Sequence, residues 1–514
     1  MALIATIRSL LAAPLAADLG TNPGLSPQAA AAVLATDPEQ PLPEFLCVDL
    51  DGTLLQADSL WESFLALLGT RPWYLLLVPF WLLRGKAALK NEIAARVNLN
   101  IQALPFRGDV LEFLRDQKAK GRKLILATGA DSKIANAVSR HLGLFDAVLA
   151  SDGHTNLVGV QKRKAIQELL GKRGFAYIGN GAIDISIWEA ASAAMIVGPT
   201  RRILNKLQET VPIRDVFEGR KYRWSALWSA LRPQHWVKNL LLFVPIVMAH
   251  ELKDVQRLGH AFLAFASFSF CASGVYVLND LFDLEADRLH PTKRHRPFAC
   301  GALPLWVGLC LAPLLVAIGW SLASQLPRMF FAETVIYFAA STLYSVLAKR
   351  VPIVDVLLLT GLFLLRILAG GAATSVTVSP WLLAFSMFLL LSLAFTKRHS
   401  ELVGKAAQPG ESHVPSKRNY VIQDTDLVRQ FGVTSGYISV LVLALYINGK
   451  EVTALYRRPE LIWLACPLLL FWISRVWFLA NRGEMEEDPV VFAARDPISY
   501  LLVLVIFAIL LVAS

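Results

Sequence analysis

Through the second half of the chain, apolar runs of the length that crosses a hydrocarbon core as a helix recur near residues 236–251, 259–280, 303–325, 330–348, 353–373, 380–396, 434–449, 459–480 and 496–514. They predict nine membrane spans, an odd number that puts the two ends of this half on opposite sides. From about Phe45 to Glu218 the pattern changes, and charged and apolar residues mix at the density of a soluble domain. FLCVDLDGTLL, KLILAT and FAYIGNG read there as short buried strands, with a predominantly helical insertion between the first and the second. The boundaries that follow are a mobile tail over 1–43, a soluble domain over 44–215 with a helical cap at about 56–106, a linker over 216–231 and a membrane domain over 232–514. The opening MALIATIRSLLAAPLAA resembles a signal peptide only faintly, because Arg8 splits its apolar region.

Composition agrees with the pattern. Of the 514 residues 55% are hydrophobic and 18% charged, more apolar than globular chains usually are. The formal net charge of +10 could indicate a nucleic-acid partner, but many Lys and Arg sit in short loops between apolar runs, so we expect none. The loops after the second, fourth, sixth and eighth runs hold more than twice as many Lys and Arg as the opposite loops. Cationic loops stay on the cytoplasmic side. We therefore expect a multi-pass protein of the inner (cytoplasmic) membrane, with the soluble domain and the active sites on the cytoplasmic face. The five cysteines are scattered without a paired spacing, which suggests neither a zinc site nor a disulfide framework.

Acidic residues meet the membrane at YVLNDLFDLEADRLHPTKRHRP, residues 276–297. If the second span continues through Asn279 to Asp287 as helix, Asp280, Asp283 and Asp287 share one face about two turns long. Like charges so placed call for a hard divalent cation, and Mg²⁺ favours a few carboxylates together with phosphate oxygens. Arg288, Lys293, Arg294 and Arg296 follow at once, a cationic set able to grip phosphate. The pattern Asn279-Asp280-x-x-Asp283-x-x-x-Asp287 with its Arg-Pro tail resembles the UbiA superfamily of intramembrane prenyltransferases, over about residues 232–514. That likeness implies an all-α bundle around a cavity open to lipid, with Mg²⁺ and a diphosphate substrate at its cytoplasmic end.

Most members of that superfamily carry a second aspartate-rich motif after the sixth span, where this chain reads FTKRHSEL, residues 395–402. Lys397, Arg398 and Glu401 stand in its place, which implies a different diphosphate. With RPQHWVKN at 232–239, this form looks most similar to decaprenyl-phosphate phosphoribosyltransferases, which use phosphoribosyl pyrophosphate as donor and a polyprenyl phosphate as acceptor. On that likeness Asp280, Asp283 and Asp287 hold Mg²⁺, Asn279 supports them, and Lys293, Arg294, Arg296, Lys397, Arg398 and Glu401 meet the substrates. Lys238, Asn239, Tyr344 and Lys349 are further substrate candidates on the same predicted side, with interface anchoring equally open for Lys349. Asp355 and Arg366 fall within the fifth run, where an ionisable group must face protein or a wet cavity; their spacing of eleven, about three turns along one face, lets both line the cavity, with Arg366 a further substrate candidate.

In the soluble domain, Asp49 and Asp51 end an apolar strand at a spacing that turns both to one side. One can attack phosphorus while its neighbour manages the proton. The D-x-D-G-T run resembles the haloacid dehalogenase superfamily over about residues 45–199, which implies an α/β Rossmann-like fold with a helical cap. By that resemblance Asp49 is nucleophile and Mg²⁺ ligand, Asp51 is general acid and base and a further ligand, and Thr128 holds a phosphate oxygen. Lys164 neutralises the phosphate, with Lys162 a close competitor. Asn180 stands where the family's first late acid is expected, leaving Asp184 to join it at the metal, and an active phosphatase and a degenerate scaffold both stay open. Within the cap insertion, PWYLLLVPFWLLRGKAALK, residues 72–90, is too short and proline-broken for a span and is either cap core or a membrane-facing patch.

The expected protein is thus a Mg²⁺-dependent membrane transferase of polyprenyl metabolism, fused to a phosphatase suited to removing the ribose 5-phosphate. Its rivals are a prenyltransferase acting on an aromatic or other small acceptor, and a transporter or scaffold with an inactive hydrolase domain.

Overall fold

The computed structural model describes residues 42–219, 224–346, 348, 351–406, 419–449, 456–485, 488–493 and 495–513. The expected tail, up to residue 41, and the candidate Lys349 lie outside them. The chain divides into two compact units, Met1–Ala230 with Asp280–Leu309, and Leu231–Asn279 with Cys310–Ser514.

At the centre of the first unit is a parallel sheet of β1 (Phe45–Val48), β2 (Lys123–Asp131), β3 (Ala147–Ser151), β4 (Phe175–Gly179), β5 (Ala193–Val197) and β6 (Ile213–Phe217), in the order β3-β2-β1-β4-β5-β6. A sheet covered on both faces asks for unbroken apolar strands, and β4 and β5 are buried at every position. Side chains alternate between two cores: Leu46 and Val48 join one, while Cys47 packs in the other with Tyr177 and Trp188. β1 pairs with β2 on one side and β4 on the other, so the direction of winding reverses at the end of β1. Ligands of open parallel sheets bind at such a crevice.

The insertion after β1 leaves and rejoins the sheet at a single point. Leu55 bridges Phe106, Gln56 N–H donates to the Pro105 carbonyl at 2.8 Å, and Arg107 N–H to the Leu54 carbonyl at 3.0 Å. Between these contacts run the helix Ser59–Thr70, a 3₁₀ turn Pro72–Leu77 and the helices Val78–Leu83 and Lys86–Arg96. Their small core is Leu67, Trp81, Leu82, Leu89, Ile93 and Val97. The segment Asp280–Leu309 is part of this unit: the Arg288 guanidinium makes two bonds to Glu62, at 2.6 and 3.0 Å, and Asn100 Nδ2 donates to Glu285 at 2.8 Å.

Among the described residues six helices are long and apolar enough to cross a membrane: Val255–Phe282, Leu305–Ala323, Val354–Thr374, Pro380–Gly404, Ile422–Ile447 and Pro459–Asn481. The other three apolar runs of the sequence differ for identifiable reasons. Arg328–Val346 is a full helix but carries Arg328, Glu333 and several hydroxyls. Pro497–Ala513 has only 17 residues. The first run is split into a 3₁₀ stretch Pro233–Phe243 and a helix Val244–Met248, with Pro245 in the second helical position. It packs so tightly on Val354–Thr374 that a Cβ at Gly370 would lie 2.1 Å from the Leu242 carbonyl oxygen.

Candidate active sites

Asp49 follows β1 at the winding reversal, and its N–H is held by the Ile178 carbonyl of β4 at 3.0 Å. Its carboxylate accepts from Lys162 Nζ at 2.8 Å; the same ammonium lies 3.0 Å from the Tyr177 hydroxyl and 3.7 Å from Asp184. Tyr177 donates to Asp184 at 3.0 Å, and the N–H groups of Asn180 and Gly181 donate to the other Asp184 oxygen at 3.3 and 3.2 Å. All four side chains are buried. Burial raises the Asp49 carboxyl above its usual range against the pull of Lys162, while Asp49 and Asp184 outweigh burial and raise the Lys162 ammonium.

Asp51 is fixed differently. Ser59, at the start of the cap's first helix, donates to its two oxygens, from N–H at 2.8 Å and from Oγ at 3.0 Å. Burial, with Asp58 and Asp49 adding, pushes its carboxyl up to about 7, a value suited to carrying a proton at neutral pH. Gly52 has φ +74° and abuts Asn180, whose Nδ2 would lie 2.1 Å from a Cβ at position 52. Asn180 is thereby brought to the D-x-D-G-T turn. Thr128 is fully buried at the end of the LILAT run, its Oγ1 accepting from Ala130 N–H at 3.0 Å.

Lys162, and not Lys164, reaches the carboxylates. The helix Val160–Leu170 turns about 100° per residue, so positions two apart face opposite ways. Lys162 faces the sheet and Lys164 is exposed. The bridging role of Tyr177 escaped the sequence reading, although its place in the FAYIG strand with Asp184 seven residues on was visible.

At the aspartate-rich segment the continuous helix expected through Asp287 is interrupted. Val255–Phe282 ends, Asp283 takes φ −92° and ψ 10°, and a second helix runs Leu284–Leu289. Asp280 and Asp287, both buried, nevertheless converge on one nitrogen, Arg296 Nη1, at 3.3 and 2.5 Å. Arg288 is committed to Glu62, Lys293 is half-buried and Arg294 exposed. No group of three acid, His or Cys side chains among the described residues forms a ready metal cage. The donor chemistry still fits Mg²⁺ at both places, because in each two buried carboxylates already converge on a cation: Asp280 and Asp287 on Arg296, Asp49 and Asp184 on Lys162.

The second unit gathers the remaining candidates into three polar clusters. Lys238 and Lys397 share one carboxylate, Asp488; the Lys397 contact is 3.2 Å. Burial opposes ionisation of Asp488, but Lys397 and Lys238 outweigh it and hold the carboxyl well below its usual range. Arg366 donates to Asn239 Oδ1 at 2.9 Å and to the Tyr337 hydroxyl at 3.0 Å. Arg398, fully buried, binds Asp355 at 2.5 Å, Glu401 at 3.0 Å and the Tyr344 hydroxyl at 2.9 Å, and Tyr420 completes this cluster by donating to Asp355 at 2.8 Å. Asp355 and Arg366 therefore sit in separate clusters, and Arg475 is paired with Asp496 at 2.8 and 3.0 Å. Asn279 is half-buried at the last turn of Val255–Phe282. Asp488 was missed in the sequence because it lies 250 residues from Lys238.

Comparison with known proteins divides the chain between two families. Residues 240–500 match the UbiA prenyltransferase family, and residues 46–189 match haloacid dehalogenase-like hydrolases. Over 458 residues the chain is 35% identical to the uncharacterized protein y4nM of Sinorhizobium fredii, covering 88% of each. Nodulation protein NoeC of Azorhizobium caulinodans is 36% identical over 279 residues, which are 54% of this chain and 89% of that protein. The decaprenyl-phosphate phosphoribosyltransferase of Mycobacterium tuberculosis is 30% identical over 285 residues, 54% of this chain and 90% of that one.

Proposed function

We infer the function from a chain that belongs to the UbiA prenyltransferase family, is related to decaprenyl-phosphate phosphoribosyltransferases, and carries a haloacid dehalogenase-like domain ahead of its multi-pass membrane half. The membrane half transfers phosphoribose from phosphoribosyl pyrophosphate to a polyprenyl phosphate. The hydrolase half removes the ribose 5-phosphate from the lipid product. Nine spans cross the membrane, the three irregular apolar runs included, and both sites work on the cytoplasmic side.

The observation that carries this reading is the pair Lys238 and Lys397 on the single carboxylate of Asp488. Two ammonium groups against one carboxylate leave positive charge for a phosphate, and Lys397 stands where a prenyl-diphosphate enzyme has acids for a second metal. An oxygen of the lipid phosphate attacks ribose C1, the C1–O bond to diphosphate breaks, and diphosphate leaves with the bond electrons. Lys238 and Lys397 orient the attacking phosphate, and Arg296 together with Lys293 and Arg294 receives charge as it develops on the leaving group. Mg²⁺, held by Asp280, Asp283 and Asp287, would neutralise the diphosphate, as Mg²⁺ held by Asp49, Asn180, Asp184 and the Asp51 carbonyl would neutralise the phosphate ester.

In the hydrolase site a carboxylate oxygen of Asp49 bonds to phosphorus while the ester P–O bond breaks, and Asp51 gives its proton to the departing ribose oxygen. Water then attacks the aspartyl phosphate, returns a proton to Asp51 and frees phosphate. Lys162 and Thr128 hold the phosphoryl oxygens. Mass spectrometry of lipid products made with phosphoribosyl pyrophosphate or with a prenyl diphosphate tests the transfer. Product from the prenyl donor alone, or undiminished product after Asp283→Asn, refutes it, and a lipid that keeps its 5-phosphate with no phosphate released refutes the coupled hydrolysis.

A further inference from the structure

We propose that the cap of the hydrolase domain beds into the interface of a lipid bilayer through the segment Pro72–Leu83, and so presents the hydrolase site to phosphate esters carried on lipids. The segment is nearly all apolar, yet most of it is bare: Trp73 is 63% exposed, Leu76 77%, Phe80 63% and Leu83 67%, with Leu75 and Leu77 each 41%. These side chains form an exposed apolar patch larger than single surface residues account for. It is held in a fixed form from behind, where Trp81 and Leu82 enter the cap core and the Arg96 guanidinium stacks on Trp81 at 4.8 Å and on Tyr74 at 5.3 Å.

A bilayer is the occupant that fits. The segment has 12 residues; even at the 3₁₀ rise of about 2 Å per residue it reaches about 24 Å, short of the roughly 30 Å core. It is thus long enough to lie along the interface and too short to cross. Exposed cations bracket it, Arg71 before and Arg84 and Lys86 after, as anionic headgroups require. The bare Trp73 is of the type favoured at headgroup depth, and Phe80 belongs to the apolar face that such segments bury. The chain is itself anchored in a membrane by its apolar helices.

The patch is connected to the chemistry through the next helix. Lys86–Arg96 carries Lys90, whose ammonium donates to the Gly129 carbonyl at 2.6 Å, beside Thr128. Ser59, which fixes Asp51, opens the first cap helix. The patch and these two groups at the site therefore belong to one cap, and a cap seated on lipid brings the site to the bilayer surface. The bedding itself stands independently of the hydrolase reading, whereas the preference for lipid-borne substrates rests on it.

The test uses the full chain in nanodiscs containing anionic lipid, with Cys300 and Cys310 replaced by alanine and a nitroxide placed at Leu76→Cys or, as a control, at the exposed Leu169→Cys. Bedding predicts that the Leu76 label is relaxed by oxygen and shielded from an aqueous nickel chelate, and that the Leu169 label shows the reverse. Equal access of nickel to both labels overturns the proposal, as does shielding of Leu76 from both reagents, which indicates a protein partner or a second copy of the chain. A triple variant, W73S/L76S/F80S, separates the two claims. It is expected to lower hydrolysis of a short-chain polyprenyl phosphoribose 5-phosphate roughly tenfold by losing interfacial seating and to leave hydrolysis of soluble p-nitrophenyl phosphate unchanged. An equal loss on both substrates overturns the lipid-access claim, and a wild-type chain inert to both phosphates overturns the hydrolase reading while the label result still decides the bedding.

Discussion

Replacing Lys162 by methionine removes one ammonium and keeps most of its buried stem. In the native site that ammonium lies 2.8 Å from Asp49 and 3.7 Å from Asp184, and it is almost wholly shielded from water. Taking one partner from a buried charge cluster typically costs about 3–5 kcal/mol. Here the loss falls toward the lower end, because burial already raises the Asp49 carboxyl and a proton can neutralise it once the lysine is gone. Catalysis suffers twice, through a protonated nucleophile and through lost stabilisation of the phosphoryl oxygens, and removing one such preorganised group generally costs about 10²–10³ in kcat. Lys164→Met, on the exposed side of the same helix, should stay within about twofold of wild type, as surface substitutions away from a site usually do. The assay is phosphate release from p-nitrophenyl phosphate by the full chain, with thermal unfolding followed in parallel to separate lost chemistry from lost fold. If Lys164→Met is the crippled variant and Lys162→Met is not, the assignment of Lys162 as the phosphate-neutralising residue is refuted.

Three further outcomes are expected. Asn180→Asp adds a carboxylate next to the Gly52 turn and should tighten Mg²⁺ binding about tenfold, consistent with the preference of a hard cation for charged oxygen, measured by Mg²⁺ titration of phosphatase activity; no change in the Mg²⁺ midpoint counts against Asn180 as a ligand. Glu62→Gln and Arg288→Gln break the bidentate pair that ties the cap to the aspartate-rich segment, and in a double-mutant cycle of thermal stability they should couple by about 1–3 kcal/mol; additive effects would show that the pair does not hold the segment. Lys397→Ala should raise the KM for a phosphorylated substrate about tenfold with a smaller change in kcat, the signature of lost uniform binding, and an unaltered KM for both donor and acceptor removes Lys397 from the substrate contacts.

What the sequence determined by itself is what depends on neighbours along the chain. The D-x-D-G-T turn is legible because a strand ending at Val48 fixes where Asp49 and Asp51 point, and among the described residues six of the nine apolar runs are legible as helices long and apolar enough to cross a membrane, because length and composition alone decide that. The aspartate spacing placed Asp280, Asp283 and Asp287 on one helical face; the helix breaks at Asp283, and Asp280 and Asp287 meet through Arg296. Tertiary structure decided what depends on helix phase and on contacts between distant segments. Lys162 and Lys164 are equivalent in composition and differ only in which face of Val160–Leu170 meets the sheet. Asp488 joins Lys238 and Lys397 across 250 and 91 residues, and Arg288 is drawn to Glu62 across 226, separations over which no local pattern carries information. A buried charge takes the partner that packing brings within reach, so the partner is known only once the chain has folded.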